Sequence, residues 1–341
     1  MKLAFHNTID HIEKHIPKNS GIFAIIDSNV TDYFCDKKEW HFIEIQATEQ
    51  KKTLHTAEAI WSELLEMKAD KDCFILGIGG GVTTDIAGFV ASTYKRGVRF
   101  GLIPTTLLGC SDAAIGGKNG INLEYIKNAV GTINQPVFTY ISTVFFGSLT
   151  LKVFKEGIVE ILKTFLIYNQ SYYKSAIEFF STYNYINHSK RQEQTLRNIV
   201  RTCAQIKFKV TAKDEKDIGQ RRLLNLGHTF AHALESHFIR NKKKLLHGQA
   251  VAYGINAAAQ VSCKLRLCNS NLPRRIVSDF EKIGIPCSCG VAAREVLDTM
   301  FSDKKAFKEH INLVLIKDIE QVCIKTVSAH QLKKICSAIT L

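Results

Sequence analysis

Residues 74–131 read FILGIGGGVTTDIAGFVASTYKRGVRFGLIPTTLLGCSDAAIGGKNGINLEYIKNAVG. Phe74 to Ile78 is a short apolar run, the pattern of a buried strand. Gly79, Gly80 and Gly81 follow. From Val82 onward the apolar positions Ile86, Phe89 and Val90 predict a helix. Strand, glycine turn and helix together make a phosphate-binding geometry. Residues without a Cβ admit a ligand close to the backbone, and the first N–H groups and positive dipole end of the helix face it. Asp85, one turn into the helix, is placed to bond a polar part of a cofactor. The spacing is not GxGxxG, and a plain structural turn accounts for the triple glycine equally well.

Gly116-Gly117-Lys118-Asn119-Gly120 reads as a second glycine turn, with Lys127-Asn128 after it and Arg96 between the two turns. Glycine turns beside cationic and amide side chains suit more than one phosphate-bearing ligand.

Outward from this stretch, strands are expected at Ile22–Ile26, Phe42–Ile45, Val98–Ile103 and Val137–Ser142, and a helix at Ala57–Met67. Strands alternating with helices imply a parallel sheet, whose ligands gather at the strand C-terminal ends. Asp27, Gly79–Gly81 and Thr105-Thr106 fall there. Beyond Thr143 the spacing predicts long helices over Val153–Ile167, Gln192–Val210, Leu223–Phe238 and Gln249–Leu267, with one short strand at Ile311–Ile316. The expected organisation is an α/β domain over 1–148 and a mainly helical one over 149–341.

The length of 341 residues accommodates two domains. No apolar run reaches the roughly 20 residues of a membrane span, and the N-terminus lacks a secretory h-region. Ten scattered cysteines without a CxxC pair read as reduced thiols of a cytoplasmic protein. The net charge of +13 suits a nucleic-acid binder. However, Lys242-Lys243-Lys244 is the one tight basic run and has no interleaved aromatics. The excess charge equally suits an enzyme with an anionic substrate and cofactor, with neither nucleic acid nor membrane as partner.

His228 and His232, at i and i+4, share one helical face. Glu160 and Lys163 stand at i and i+3 on another helix, and His247 opens a third. Two or three histidines with a carboxylate make a catalytic zinc site with one position open. A histidine pair at this spacing is also ordinary surface or core, and HExxH is absent.

Taken together, these segments resemble 3-dehydroquinate synthase, a family of sugar phosphate cyclases, from about Asp27 to Lys305. The matching stretches include Thr48 to Lys52, Gly79-Gly80-Gly81-Val82, Asp85 to Phe89 and Arg96-Gly97. Pro104 to Leu108, Asp112, Gly116-Gly117-Lys118 and Lys127-Asn128 continue the series. Glu160 to Lys163, Lys207, Asp214-Glu215, Arg221 to His232, His247-Gly248 and Asp303-Lys304-Lys305 complete it. The resemblance implies a Rossmann-like α/β domain holding NAD, a helical domain holding zinc or cobalt, and a sugar phosphate closing between them. By motif, Glu160, His228 and His247 would ligate the metal. Asp27, Glu49, Lys52, Gly79, Gly80, Gly81, Val82, Asp85, Thr105, Thr106, Lys127, Asn128 and Thr143 would line NAD. Lys118, Asn128, Asn225, His232 and Lys305 would hold the substrate phosphate, with Arg96 reaching it from the second subunit of a homodimer. Asp112 and Lys163 would meet substrate hydroxyls, and Lys207 and Arg221 its carboxylate. The implied reaction converts 3-deoxy-D-arabino-heptulosonate 7-phosphate to 3-dehydroquinate by NAD-dependent oxidation, phosphate β-elimination, reduction and intramolecular aldol closure.

The chain departs from the family pattern at Thr84, Ala113-Ala114, Val159, Asp217 and Gln249. Gln249 lacks the negative charge usual beside the His247 position. Other classes remain open at this level. These are cyclases of carboxylate-free sugar phosphates (2-deoxy-scyllo-inosose or valiolone synthase-like), a glycerol dehydrogenase-like metal-dependent alcohol dehydrogenase, and a non-enzymatic scaffold. The pair Lys207 and Arg221 has no use in the carboxylate-free cyclases, because the arginine fork suits a carboxylate.

Overall fold

The computed structural model describes residues 1–124, 126–302 and 310–341. The chain divides into two compact units, Met1–Gly157 with Val200–Lys216 and Ile158–Ile199 with Asp217–Leu341.

In the first unit, β1 (Lys2–Phe5), β2 (Ile22–Asp27) and β3 (His41–Ile45) precede α1 (Leu54–Glu66), β4 (Phe74–Gly79), α2 (Gly81–Thr93) and β5 (Arg99–Pro104). β6 (Lys118–Leu123), β7 (Ile126–Ile133) and β8 (Phe138–Ile141) follow. Six strands form a parallel sheet in the order β1-β8-β5-β4-β2-β3. β4 lies near the middle and is buried along its whole length. A strand covered on both faces reads as an unbroken apolar run, which is why Phe74–Ile78 stands out in the sequence.

The pleat sends alternate residues to opposite faces. Ile75, Phe23, Ile25, Phe100 and Leu102 pack with Ala57, Ile60, Leu64, Ile86 and Val90 of α1 and α2. Phe74, Leu76, Ile78, Ala24, Ile26 and Ile103 pack on the other side with Ile12, Val30, Phe34 and Phe145. The chain leaves β2 for β3 on one flank and returns to β4 on the other. The strand order therefore reverses between β2 and β4, and a crevice at their C-terminal ends is where sheets of this kind take ligands.

Two features of this unit differ from the sequence expectation. β1 is an additional strand whose four residues carry too little pattern to be read. The Gly116–Gly120 turn leads at Lys118 into an antiparallel hairpin, β6 with β7. Its apolar residues Leu123, Ile126, Val130 and Ile133 are exposed, so they show no buried-face alternation.

The elements of the second half of the sequence are α3 (Leu151–Tyr168), α4 (Gln170–Thr182), α5 (Lys190–Lys213), α6 (His228–Arg240), α7 (His247–Lys264), α8 (Asn271–Glu281) and α9 (Ala293–Ser302). β9 (His310–Asp318), β10 (Gln321–Ser328) and α10 (Ala329–Cys336) complete the chain. The division between units falls within α3 and within α5. The single strand expected at Ile311–Ile316 is the first arm of the antiparallel β9–β10 hairpin. The helix expected at Leu223–Phe238 begins only at His228. Gln220–Asn225 is instead a 3-10 turn, and Gly227 has φ of 80°, a left-handed conformation that breaks the helix. A Cβ on Gly227 would lie 2.8 Å from the backbone N of Ile255. This glycine thus lets α6 start against the backbone of α7.

Among the described residues, no helix is long and apolar enough to cross a membrane, and all ten cysteines are free thiols.

Candidate functional site

In the second unit, three helices bring Glu160, His228 and His247 together. One ligand atom from each lies within 4.8 Å of the other two. Glu160, on α3, is fully buried. Its Oε1 is 3.8 Å from His228 Nε2 and 3.5 Å from His247 Nε2, and its Oε2 pairs with Lys163. Neither oxygen receives an aligned hydrogen bond among the described residues. A buried carboxylate in that condition is costly unless charge is placed against it. Gly227 sets His228 at the first position of α6, and Leu246 caps the helix that His247 opens.

Each histidine is held from behind. His228 Nδ1 lies 3.2 Å from the carbonyl of Leu226, and His247 Nδ1 lies 3.3 Å from Oε1 of Glu235, a carboxylate only 3% exposed. Both rings therefore turn Nε2 toward Glu160, the arrangement in which metal-binding histidines donate their other N–H to an oxygen. Burial, with Lys163 nearby, pushes the His228 pKa down to about 3, so this ring is neutral and its lone pair is available. His247 also loses solvation, but Glu160 and Glu235 outweigh that and raise it to about 10. Lys163 and the two histidines hold Glu160 well below the usual carboxylate range despite its burial. One carboxylate and two imidazole nitrogens, with no fourth protein ligand in the cluster among the described residues, fit a tetrahedral divalent cation that keeps a position open.

In the first unit, the expected cofactor residues assemble along the C-terminal edge of the sheet. Asp27 ends β2, Gly79 ends β4, Thr105 and Thr106 follow β5, and Thr143 follows β8. Gly80 caps α2, and Gly81 is its first residue. A Cβ on Gly79 would meet Thr83 Oγ1 at 2.3 Å and Asp27 Cβ at 3.0 Å, at the β2–β4 reversal. On Gly80 it would meet Thr106 Cγ2 at 3.0 Å, and on Gly81 Ala113 Cβ at 3.2 Å. The hydroxyl of Thr83, buried in the first turn of α2, has no partner among the described residues. Bare backbone at the head of a helix, with an orphan hydroxyl beside it, fits a pyrophosphate.

A polar network adjoins this turn. Lys52, 4% exposed, pairs with Asp85 and donates to Asn128 Oδ1 at 2.5 Å. Asn122 donates to Glu49 Oε1 at 2.8 Å and accepts from the backbone N–H of Asn128 at 2.9 Å. Lys127 Nζ lies 4.0 Å from Glu49. Glu49, Lys52, Asp85, Lys127 and Asn128 thus form one cluster. Burial pushes the Asp85 carboxyl above its ordinary value against the pull of Lys52.

Lys207, from the α5 portion of this unit, donates to the carbonyl of Asp112 at 2.6 Å and pairs with its Oδ1 at 2.6 Å. Arg96 is exposed in a left-handed turn with φ of 69°. Lys118 is exposed at the start of β6. In the second unit Arg221 is buried, Asn225 and His232 are exposed, and the His232 ring stands 5.4 Å from that of His228, outside the three-ligand cluster. Lys305, with Asp303 and Lys304, lies outside the described residues.

The model of the 3-dehydroquinate synthase N-terminal region matches residues 42–156, and that of the 3-dehydroquinate synthase C-terminal region matches residues 157–306. A curated relative from Clostridium tetani named 3-dehydroquinate synthase is 37% identical over 320 residues, 91% of this chain and 83% of the relative. The chain belongs to the 3-dehydroquinate synthase family. Solved structures agree on the fold. A 2-deoxy-scyllo-inosose synthase complexed with carbaglucose-6-phosphate, NAD+ and Co2+ has a TM-score of 0.83 at 22% identity, over 98% of this chain and 96% of that one. A 2-epi-5-epi-valiolone synthase from Streptomyces hygroscopicus with NAD+ and Zn2+ has a TM-score of 0.84 at 21% identity, over 98% and 95%. The family's Rossmann-like parallel sheet and helical C-terminal part are both present, and the chain is an enzyme of this family.

Two site residues escape the sequence reading. Glu235 looks like any helical carboxylate until the α6–α7 packing buries it against His247. Asn122, which ties Glu49 to Asn128, carries no sequence signal beyond its neighbours.

Proposed function

We propose that the chain is a phosphate-eliminating carbon–oxygen lyase that converts 3-deoxy-D-arabino-heptulosonate 7-phosphate to 3-dehydroquinate and phosphate. The observation that carries this reading is the Glu160–His228–His247 cluster, in a family whose curated relatives bear the 3-dehydroquinate synthase name. When bound, NAD accepts and returns a hydride, and a divalent metal polarises substrate oxygens.

The protein's own part is binding and charge placement. Glu160, His228 and His247 hold the metal, zinc or cobalt, with Leu226 and Glu235 fixing the two rings. Gly79, Gly80, Gly81 and Val82 bring backbone against the NAD pyrophosphate. Asp27, Glu49, Lys52, Asp85, Thr105, Thr106, Lys127 and Thr143 surround the rest of the dinucleotide. Lys118, Asn128, Asn225, His232 and Lys305, with Arg96 from a second copy in a homodimer, balance the phosphate charge as the C–O bond breaks. Asp112 and Lys163 orient hydroxyls. Lys207 and Arg221 select the carboxylate through charge-assisted hydrogen bonds. On this reading residues 1–148 serve NAD, residues 149–341 serve the metal, and the enzyme works in the cytoplasm.

The test is phosphate release from each of three sugar phosphates, with NAD and Zn2+ supplied. Turnover of the heptulosonate phosphate is the expected result. Turnover confined to the carboxylate-free glucose 6-phosphate or sedoheptulose 7-phosphate would reject the assignment.

A further inference from the structure

One group of coordinating side chains lies apart from the residues assigned above. His6, His11 and His15 fall close together in sequence at the edge of the six-stranded sheet. β1 ends at Phe5, and the backbone N–H of His6 donates to the carbonyl of Ile141 at 3.1 Å, continuing the β1–β8 pairing by one residue. The His6 ring stacks on Tyr140, with centroids 4.7 Å apart and planes 5° apart. His15 stands edge-on to the same ring at 5.7 Å and lies 5.5 Å from Phe138. Tyr140 is fully buried and its hydroxyl donates to the carbonyl of Thr8 at 2.7 Å, so the floor beneath the two imidazoles is fixed. On that floor His6 Nε2 and His15 Nε2 face each other 3.2 Å apart, and the His11 ring flanks His6 at 5.4 Å.

That spacing has a specific meaning for ligands. Two imidazole nitrogens at about 2.0–2.1 Å from one cation, at a tetrahedral angle, stand roughly 3.3 Å apart. A hydrogen bond between the rings has a similar length but needs only one lone pair, whereas a cation uses both. Burial, with the nearby His11, Lys14 and Lys2, lowers the pKa of both rings and favours the neutral form that ligates, while the two ammonium charges themselves oppose a dication. The pair is also remote from the glycine turn. β1 is three strands from β4, on the order of 14 Å at ~4.8 Å per strand.

We propose that His6 and His15 form a second metal site, for a divalent transition cation of the imidazole-preferring kind such as Zn2+, Ni2+ or Cu2+, with water completing the coordination. The cation clips the Ile12–His15 turn onto the end of β1. The site needs neither NAD nor substrate and is independent of the Glu160 cluster.

The experiment is equilibrium dialysis of the full chain against Zn2+, with bound metal counted per chain, together with electron paramagnetic resonance of the Cu2+-loaded protein. The His6→Gln/His15→Gln variant is expected to bind one Zn2+ per chain fewer than wild type, and the same pair of changes made in a His228→Gln/His247→Gln background is expected to lose a two-nitrogen Cu2+ signal. A His228→Gln/His247→Gln variant is expected to keep that signal. Equal Zn2+ stoichiometry in wild type and the His6→Gln/His15→Gln variant would overturn the proposal. So would loss of all binding in the His228→Gln/His247→Gln variant. The single His15→Gln change leaves the His6–Tyr140 stack in place and guards against misfolding. It is expected to weaken this equivalent by roughly tenfold or more, since even groups behind a ligand are worth about that. Unchanged affinity would also overturn the site.

Discussion

Glu235 Oε1 lies 3.3 Å from Nδ1 of His247, while the Nε2 of the same ring lies 3.5 Å from Glu160. One carboxylate thus orients the ring from behind and the other meets its ligating side. Gln249, whose amide oxygen accepts from the backbone N–H of Leu246 at 3.4 Å, secures the first turn of α7 without contributing charge. The negative charge behind His247 therefore comes from Glu235. Replacing Glu235 by Gln keeps the shape and removes that charge. Metal affinity is expected to fall about 10–100-fold, read by competition with a chromogenic chelator. A change below about twofold would show that Glu235 is only packing.

The same cluster sets a pH profile for the metal-free protein. His247 has its pKa raised from 6.5 to about 10 in the folded state. Its contribution to stability is therefore fully present below 6.5 and lost as pH rises through about 10. His228 is shifted the other way, to about 3. The unfolded chain then binds the extra proton between that value and 6.5, and stability is lost as pH falls through this window. Glu160, held well below its usual range, adds to the same acid limb. Chelator-treated protein is expected to show its highest melting temperature near neutrality and a decline toward pH 10. Metal-saturated protein should be flatter on the alkaline side, because binding has already displaced the His247 proton. Parallel curves with and without metal would contradict the assignment of these ligands.

Lys52 links two parts of the proposed dinucleotide pocket, pairing with Asp85 and donating to Asn128. Lys52→Met leaves Asp85 half-buried beside the head of α2 without its cation. The freed carboxylate repels a pyrophosphate or takes up a proton, and either change alters the pocket. NADH affinity, followed by fluorescence titration, is expected to drop roughly 10–100-fold, the range of a hydrogen bond to a charged group. Metal binding should be unchanged. Weakened metal binding with intact NADH affinity would refute this division of roles.

What the sequence discloses follows from how each feature is encoded. β4 was readable because a strand buried on both faces must be apolar throughout, and the glycines after it because a Cβ on Gly79, Gly80 or Gly81 would press on Thr83, Thr106 or Ala113. β1 and the β6–β7 hairpin were not, since four residues, or exposed apolar positions such as Ile126 and Val130, carry no period that reports burial. His228 and His247 are separated by a helix and a turn. Only the approach of α6 to α7, where a Cβ on Gly254 would lie 2.1 Å from the carbonyl oxygen of Gly227, makes them neighbours. Spacing alone pairs His228 with His232, whereas the fold gathers Glu160, His228 and His247. The resemblance names the same three residues that the fold gathers, because it compares whole chains rather than local periods. Glu235 was invisible for the same reason, being a helical glutamate until packing enclosed it.

Lys207 and Asp112 give the sharpest test of substrate choice. Lys207 Nζ contacts both the carbonyl and Oδ1 of Asp112 at 2.6 Å, so the ammonium is fixed in place and the carboxylate tempers its charge. If Lys207 grips the substrate carboxylate, Lys207→Met removes a charge-assisted bond and frees Asp112, a negative group, beside an anion. The value of kcat/KM for the heptulosonate phosphate is expected to fall roughly 10–100-fold, mostly through KM. NADH and metal affinity should stay at wild-type levels. Lys207→Arg should recover only part of the loss, since its planar fork does not reproduce a point charge. An unchanged KM in Lys207→Met would remove the carboxylate argument and return the carboxylate-free sugar phosphates to contention.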